Sequence, residues 1–323
     1  MDLLKEGETL AYKFDINEPV RVAIVRCAAE QLDRAVSELS EGINDDPVRA
    51  VHDARKAIKK ERSLLRLASG AMSTQQRRRE NAALREAARE LSGTRDADVM
   101  IATLDGLADR FAGQLPAKTI DAIREQLGPR SGQRPGSALE ARAVQELGAL
   151  RVRVDDWKLS RGGWKAIDRG LVHSYTRGRK AFARARARRS TEALHDWRKR
   201  VKDLWYHERL LAPTCGPAVR GQAKDAKRLA DLLGDDHDLA VLREQLAPDT
   251  MPVPVDVGAV VELVDHSRHE LQTEAIALGE RVYADSPKMF GRRMQRSWNA
   301  GRALAAAPHQ SEPAQLAAAT RKP

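Results

Sequence analysis

Residues 52–67 read HDARKAIKKERSLLRL, and residues 195–210 read HDWRKRVKDLWYHERL. Seven of the sixteen positions agree at an offset of 143 residues: His, Asp, Arg, Lys, Lys, Arg and Leu. A second pair of segments follows in the same order. Residues 91–99 (LSGTRDADV) align with residues 233–241 (LGDDHDLAV) at an offset of 142. Two motifs repeated in order at nearly one offset predict a duplicated unit, and the period is far too long for a solenoid repeat. The expected architecture is two half-domains, each a helical bundle, related by a pseudo-two-fold axis. Their boundary is expected near Arg161, Gly162 and Gly163.

Outward from these motifs nearly every segment reads as helix. Apolar residues recur at spacings of three and four, with few β-branched runs. Breaks are expected at Asp45-Asp46-Pro47, at residues 128–136 (GPRSGQRPG), at residues 161–163, between Pro213 and Pro217, and from Pro252 to Gly258. The fold class is therefore all-α, with about four helices in each bundle. One domain is expected over residues 18–296, its halves spanning about 18–160 and 163–296. Residues 1–17 form an N-terminal extension, and residues 308–323, rich in Ala, Pro and Gln, read as a disordered tail.

In the first motif Asp46 suits an N-cap and Pro47 the first helical position. Ser190 or Thr191 caps the second, with Glu192 in the first turn. At about 100° per residue, His52, Arg55, Lys56, Lys59, Ser63 and Arg66 share one arc of about 100°. Ala54, Ala57, Ile58, Leu64, Leu65 and Ala68 lie opposite. The matching arc of the second copy holds His195, Arg198, Lys199, Lys202, Tyr206 and Arg209, backed by Trp197, Val201, Leu204 and Leu211. Each helix thus has an apolar back and a cationic front.

A basic helix face is ordinarily a solvated surface. Three features argue for a binding role. No acid interrupts the arc, so like charges on neighbouring turns cost about 0.2–0.5 kcal/mol per close pair. The pattern occurs twice in one register. His52 to Arg66 spans about 21 Å, which suits a linear polymer of regular charge better than a small anion. More cations follow the duplication: Arg78 matches Arg220 and Arg85 matches Lys227, with Lys224 on the same face. Tyr175, Arg177, Arg179 and Lys180 form another basic segment, and Arg184, Arg186, Arg188 and Arg189 extend it as solvated surface. The histidines suit phosphate donors, because a nearby polyanion raises an imidazole pKa. Asp53 and Asp196 point about 100° away from the histidines; they are expected to pair with a neighbouring helix or to orient a basic side chain.

Composition agrees with this charge reading. Among 323 residues, 56 Lys+Arg face 46 Asp+Glu, a net charge of +10. That balance predicts a negatively charged partner. Aromatic residues make up 4%, which argues against single-strand base stacking. Cys27 and Cys215 fit no metal spacing and predict a reduced, cytoplasmic protein. No window suggests a membrane span, and the N-terminus does not read as a secretory signal.

These motifs resemble the CHAD family, the conserved histidine α-helical domain. The resemblance rests on His52-Asp53-x-Arg55-Lys56-x-x-Lys59-Lys60 and His195-Asp196-x-Arg198-Lys199-x-x-Lys202, together with Arg95-Asp96-x-Asp98-Val99 and Tyr175-x-x-Gly178-Arg179-Lys180. It covers residues 18–296. It implies two helical bundles with pseudo-two-fold symmetry and a central basic groove that binds inorganic polyphosphate, and members often associate with polyphosphate granules. No nucleophile with its base is evident, so binding without catalysis is expected, with no cofactor, metal or membrane partner. Such domains are often fused to a triphosphate tunnel domain bearing Glu-x-Glu-x-Lys. The nearest segment here has Leu10 where that signature needs Lys, so no tunnel domain or triphosphatase activity is expected. The second copy departs from the first where Asp203 replaces the basic residue of Lys60, Gly234 stands for Ser92, and His237 stands for Arg95.

Two other readings follow from the same residues. The His-Asp pairs resemble those of metal-dependent HD phosphohydrolases, but Arg55, Lys56 and Lys59 beside His52 repel a divalent cation, and no metal ligand is assigned. The charge also suits nucleic acid, although no helix-turn-helix, zinc-finger or RNA-binding signature is present.

Overall fold

The computed structural model describes residues 12–91, 96–127, 137–247 and 257–307. The described residues form an all-helical fold with no strand. Eleven helices build it: α1 Val20–Ser37, α2 Pro47–Leu67, α3 Thr74–Glu90, α4 Asp96–Arg110, α5 Ala117–Leu127, α6 Ser137–Val154, α7 Asp168–Arg188, α8 Thr191–Cys215, α9 Pro217–Gln245, α10 Gly258–Val282 and α11 Pro287–Ala306. A π-helical turn, Glu38–Gly42, extends α1. The expected helix count of about four per half is exceeded because short helices such as α4 and α5 stand apart from the motif-bearing ones.

Local chemistry sets the helix ends. Asp46 accepts from the Arg49 amide at 3.0 Å and Pro47 opens α2. Ser190 accepts from Ala193 N at 3.2 Å and caps α8. These caps satisfy amides that have no partner inside the helix. α8 runs through Pro213 and stops at Gly216, inside the break expected between Pro213 and Pro217; the φ of Gly216, 85°, is left-handed. Burial of Leu211, Ala212, Thr214 and Cys215 offsets the backbone bond Pro213 cannot donate. The expected breaks at residues 128–136 and 252–258 fall almost wholly outside the described residues, as do the tail 308–323 and the Leu10 segment.

α1, α2, α3 and α6 pack as a ring, with α1 and α3 each touching α2 and α6. α8 is the hub of the rest and packs against α7, α9, α11 and α2. The main core runs from Tyr12 to Trp298 and draws on both motif helices; Trp197 is fully buried. A smaller core joins Leu104 and Leu107 of α4, Ile120, Ile123 and Leu127 of α5, Leu239 and Leu242 of α9 and Val260 and Val264 of α10. Helices from either side of the expected boundary therefore contribute to both cores.

The two motif helices meet directly. His207 Nε2 lies 2.9 Å from the Ser63 carbonyl, and Ser63 Oγ reaches the Asp203 carbonyl at 3.4 Å. A segment ahead of α1 straps both: Tyr12 donates to the Lys60 carbonyl at 2.7 Å, and Phe14 N donates to the Leu210 carbonyl at 3.0 Å. α7 crosses α2 at Gly170, where a Cβ would collide with the carbonyl oxygens of Arg66 and Leu67.

Candidate functional site

Guanidinium groups from four helices converge where α2, α3, α7 and α8 meet. Arg62 of α2 interacts electrostatically with Arg66, with Arg85 of α3 and with Arg200 of α8. Arg177 of α7 faces Arg200 and Arg66. Asp203 is the carboxylate set among them, accepting from Arg66 at 3.1 Å and from Arg200 at 3.3 Å. Arg62 is further held by Asn81 at 3.2 Å. Burial, and then the neighbouring cations, push the Arg62 and Arg177 pKa values down. Arg62 is half-buried and Arg177 exposed, and Asp203 opposes the shift at both, so the direction reflects local desolvation as well as crowding of like charges.

The basic ground continues along α7. His173 is pushed down by burial and then by Arg177, Arg169, Arg77 and Lys180. Arg77 and Arg85 of α3 lie eight residues apart, about 12 Å along the helix. The result is a strip of guanidinium, ammonium and imidazole groups shared among α2, α3, α7 and α8.

Only some of the sequence-derived site residues join this strip: Arg66, Arg85 and Lys180, beside Arg177 of the basic segment. The others lie elsewhere, several of them engaged in other contacts. Arg55 donates to the Leu91 carbonyl at 2.8 Å, fastening α2 to the end of α3. Lys60 is 3% exposed, its ammonium 5.5 Å from the Tyr12 ring centre. Tyr206 is buried edge-on to Tyr12, and Tyr175 is buried, stacked on Phe290 and donating to the Asp285 carbonyl at 3.0 Å. Arg179 turns to the far side of α7 and donates to the Tyr283 carbonyl at 3.3 Å. Lys227 pairs with Asp231 at 2.8 Å. His52, Lys56, Lys202 and Arg209 are half-buried, while Lys59, Arg78, Arg220 and Lys224 are exposed.

Asp53 and Asp196 meet the expectation of a neighbouring-helix partner. Asp53 lies 3.6 Å from Arg34 of α1. Asp196 lies 3.9 Å from Arg184 of α7 and 3.6 Å from Lys199. Arg198 faces α9 rather than α2: a Cβ on Gly234 would stand 3.1 Å from its Nη2. His195 also faces α9, its ring centroid 4.2 Å from that of His237. Burial, then His237, hold the His195 pKa down at about 4.

Arg62, Arg200, Arg77, Arg169 and His173 were not legible as site residues. Arg62 and Arg200 lie outside the duplication, since Trp205 and Ala57 occupy the matching positions. A signal was present in Arg62, which borders the cationic arc about 80° from His52. Among the described residues no group of three or more His, Cys, Asp or Glu is placed to hold a metal ion. No helix among them is long and apolar enough to cross a membrane.

An all-helical fold built around two packed, basic, His-Asp-bearing helices defines the structural class. The chain belongs to the CHAD family, whose domain matches residues 26–247. Similar proteins include the uncharacterized protein MT2285 of Mycobacterium tuberculosis (strain CDC 1551 / Oshkosh) and the uncharacterized protein Rv2226 of Mycobacterium tuberculosis (strain ATCC 25618 / H37Rv). Each is 28% identical over 237 residues, covering 68% of this chain and 45% of the relative. The match thus spans less than half the length of these relatives.

Proposed function

We propose that the protein binds inorganic polyphosphate without turning it over. The observation that carries this reading is the convergence of Arg62, Arg66, Arg85, Arg177 and Arg200 from four helices around Asp203, with Asp196 acting on Arg177 as well. Guanidinium groups recognise phosphate oxygens through paired N–H donors. Gathering them costs repulsion and desolvation, and a polyanion repays that cost along its whole length. The extension of the strip past His173 to Arg77 and Lys180 favours a polymer over a single phosphate.

In this reading the halves, residues 18–160 and 163–296, are related by a pseudo-two-fold axis between α2 and α8. Leu104 and Leu246, matched at the offset of 142, meet in one core, which supports that relation. The cellular setting that follows is the cytoplasm, at polyphosphate granules.

The test is a titration with polyphosphate of defined length against duplex DNA and RNA at equal phosphate concentration. Polyphosphate is expected to win, with affinity falling steeply as salt rises. Replacing Arg62, Arg85 and Arg177 together by Gln is expected to weaken binding strongly while helicity persists. Unchanged affinity in that variant, or displacement of polyphosphate by nucleic acid, overturns the reading.

A further inference from the structure

The turn from α10 into α11 packs beside α7 and leaves a cavity of about 530 Å³ between them. Small-molecule sites run from roughly 300 to 1,000 Å³. The cavity lies on the side of α7 to which Arg179 turns, about 160° around the helix from Arg177 and the guanidinium strip.

Its floor is aromatic. The rings of Phe182 and Tyr283 stack with centroids 5.9 Å apart, and Phe182 packs on Trp197 at 5.0 Å. Two glycines set this floor. A Cβ on Gly178 would collide with the Tyr283 ring, and one on Gly279 with Phe182 and Trp197. α7 and α10 therefore close on each other beneath the cavity, and Pro287, the first residue of α11, forms a further wall.

The rim is charged. Nε of Arg179 donates to the Tyr283 carbonyl at 3.3 Å, which fixes the guanidinium at the cavity edge and leaves its terminal nitrogens for a ligand. Arg186 lies over the Phe182 ring, 5.7 Å from its centroid, and pairs with Glu280 at 3.2 Å. The two side chains of that pair are 57% and 59% exposed, so it is a weak pair that a ligand's acid can replace. Lys180 stands on the border between cavity and strip. Three cations against Glu280 leave the rim positive. A phosphate chain has no carbon surface to cover the floor, and a neutral apolar molecule makes no use of the rim. The ligand that uses both is an anion with an apolar body.

We infer that this cavity binds a small aromatic carboxylate, its rings against Phe182 and Tyr283 and its carboxylate held by Arg179 and Arg186. Guanidinium groups suit that end because they present paired N–H donors to a carboxylate. The site stands whether or not the strip binds polyphosphate.

Calorimetric and NMR titration of the whole chain with naphthoate tests it. Binding is expected with a negative heat-capacity change, the mark of buried apolar surface. Amide signals of residues 179–186 and 280–287 are expected to shift. The neutral analogue naphthalenemethanol is expected to bind more weakly, on the order of tenfold, having lost its charge-assisted hydrogen bonds. Inorganic phosphate at matched ionic strength is expected not to displace naphthoate. Ala183→Trp fills the cavity from an exposed helix position, and Ala183→Glu sets a negative charge in it; both are expected to abolish the shifts while circular dichroism stays that of the wild type. Absence of naphthoate binding, binding undiminished in both folded variants, equal affinity for the alcohol, or displacement by phosphate overturns the assignment. None of these outcomes bears on the polyphosphate reading, whose own titration uses the strip.

Discussion

Arg66 of α2 and Asp203 of α8 form an ion pair at 3.1 Å, so an acid of the second motif helix ties it to the first. Asp203 occupies the position matched by Lys60 in the first copy. A lysine there would face Arg62, Arg66 and Arg200 with no countercharge. The departure from the repeat is what lets two basic helices pack against each other.

Asp203→Asn is therefore expected to act in opposite directions on stability and binding. Loss of the buried charge leaves Arg66 and Arg200 unsatisfied and lowers stability by about 1–3 kcal/mol in urea unfolding. The same change adds one unit of positive charge and tightens polyphosphate binding. A variant that binds more weakly than wild type, while folded, contradicts the assignment of the strip.

Gly170→Ala is expected to destabilise the protein by about 1–3 kcal/mol, because its methyl group has to push α7 away from the carbonyls of Arg66 and Leu67. Thermal unfolding measures this. An unchanged midpoint would show that α7 and α2 are further apart than described.

Stability should depend on pH through buried carboxyl groups. Burial, then Glu80, raises Glu61 to about 8, and burial raises Glu208 to about 8. An acid whose folded pKa is raised binds its proton more tightly in the native state. Its contribution is complete below the ordinary carboxylate pKa of about 4.5 and is lost as pH rises through about 8. Glu61→Gln should flatten the fall in unfolding midpoint across that window. A slope equal to that of wild type would mean Glu61 is ionised in the fold.

The acid side works through His207. Burial holds its pKa at about 4, so its contribution is present above the ordinary value of 6.5 and is lost as pH falls through about 4. His207→Gln is expected to reduce acid sensitivity below pH 6.5, read by circular dichroism.

The duplicated motif made the helices, their caps and the family legible, because caps and periodicity are local properties. Asp46, Pro47 and Ser190 do in the structure what their identities predict. The site was only half legible. Helical projection places a side chain on an arc but does not say which neighbour that arc meets. Arg55 falls on the cationic arc and yet satisfies a carbonyl at the end of α3. Lys60 is basic and yet lies beneath Tyr12. Arg200 has Ala57 as its counterpart, so no repeat marks it. Its role arises from the meeting of α8 with α2 and α7, a long-range fact that spacing does not encode.

The small core of α4, α5, α9 and α10 carries a consequence for biosynthesis. Ile120, Ile123 and Leu127 leave the ribosome well over a hundred residues before Val260 and Val264. At roughly 5–20 residues per second, their apolar face stays uncovered for on the order of ten seconds. During that interval the nascent chain presents an uncovered apolar face on α4 and α5, whose exposed sides carry more acids than bases. A chaperone that binds apolar surface would then shield these helices until α9 and α10 arrive to cover them.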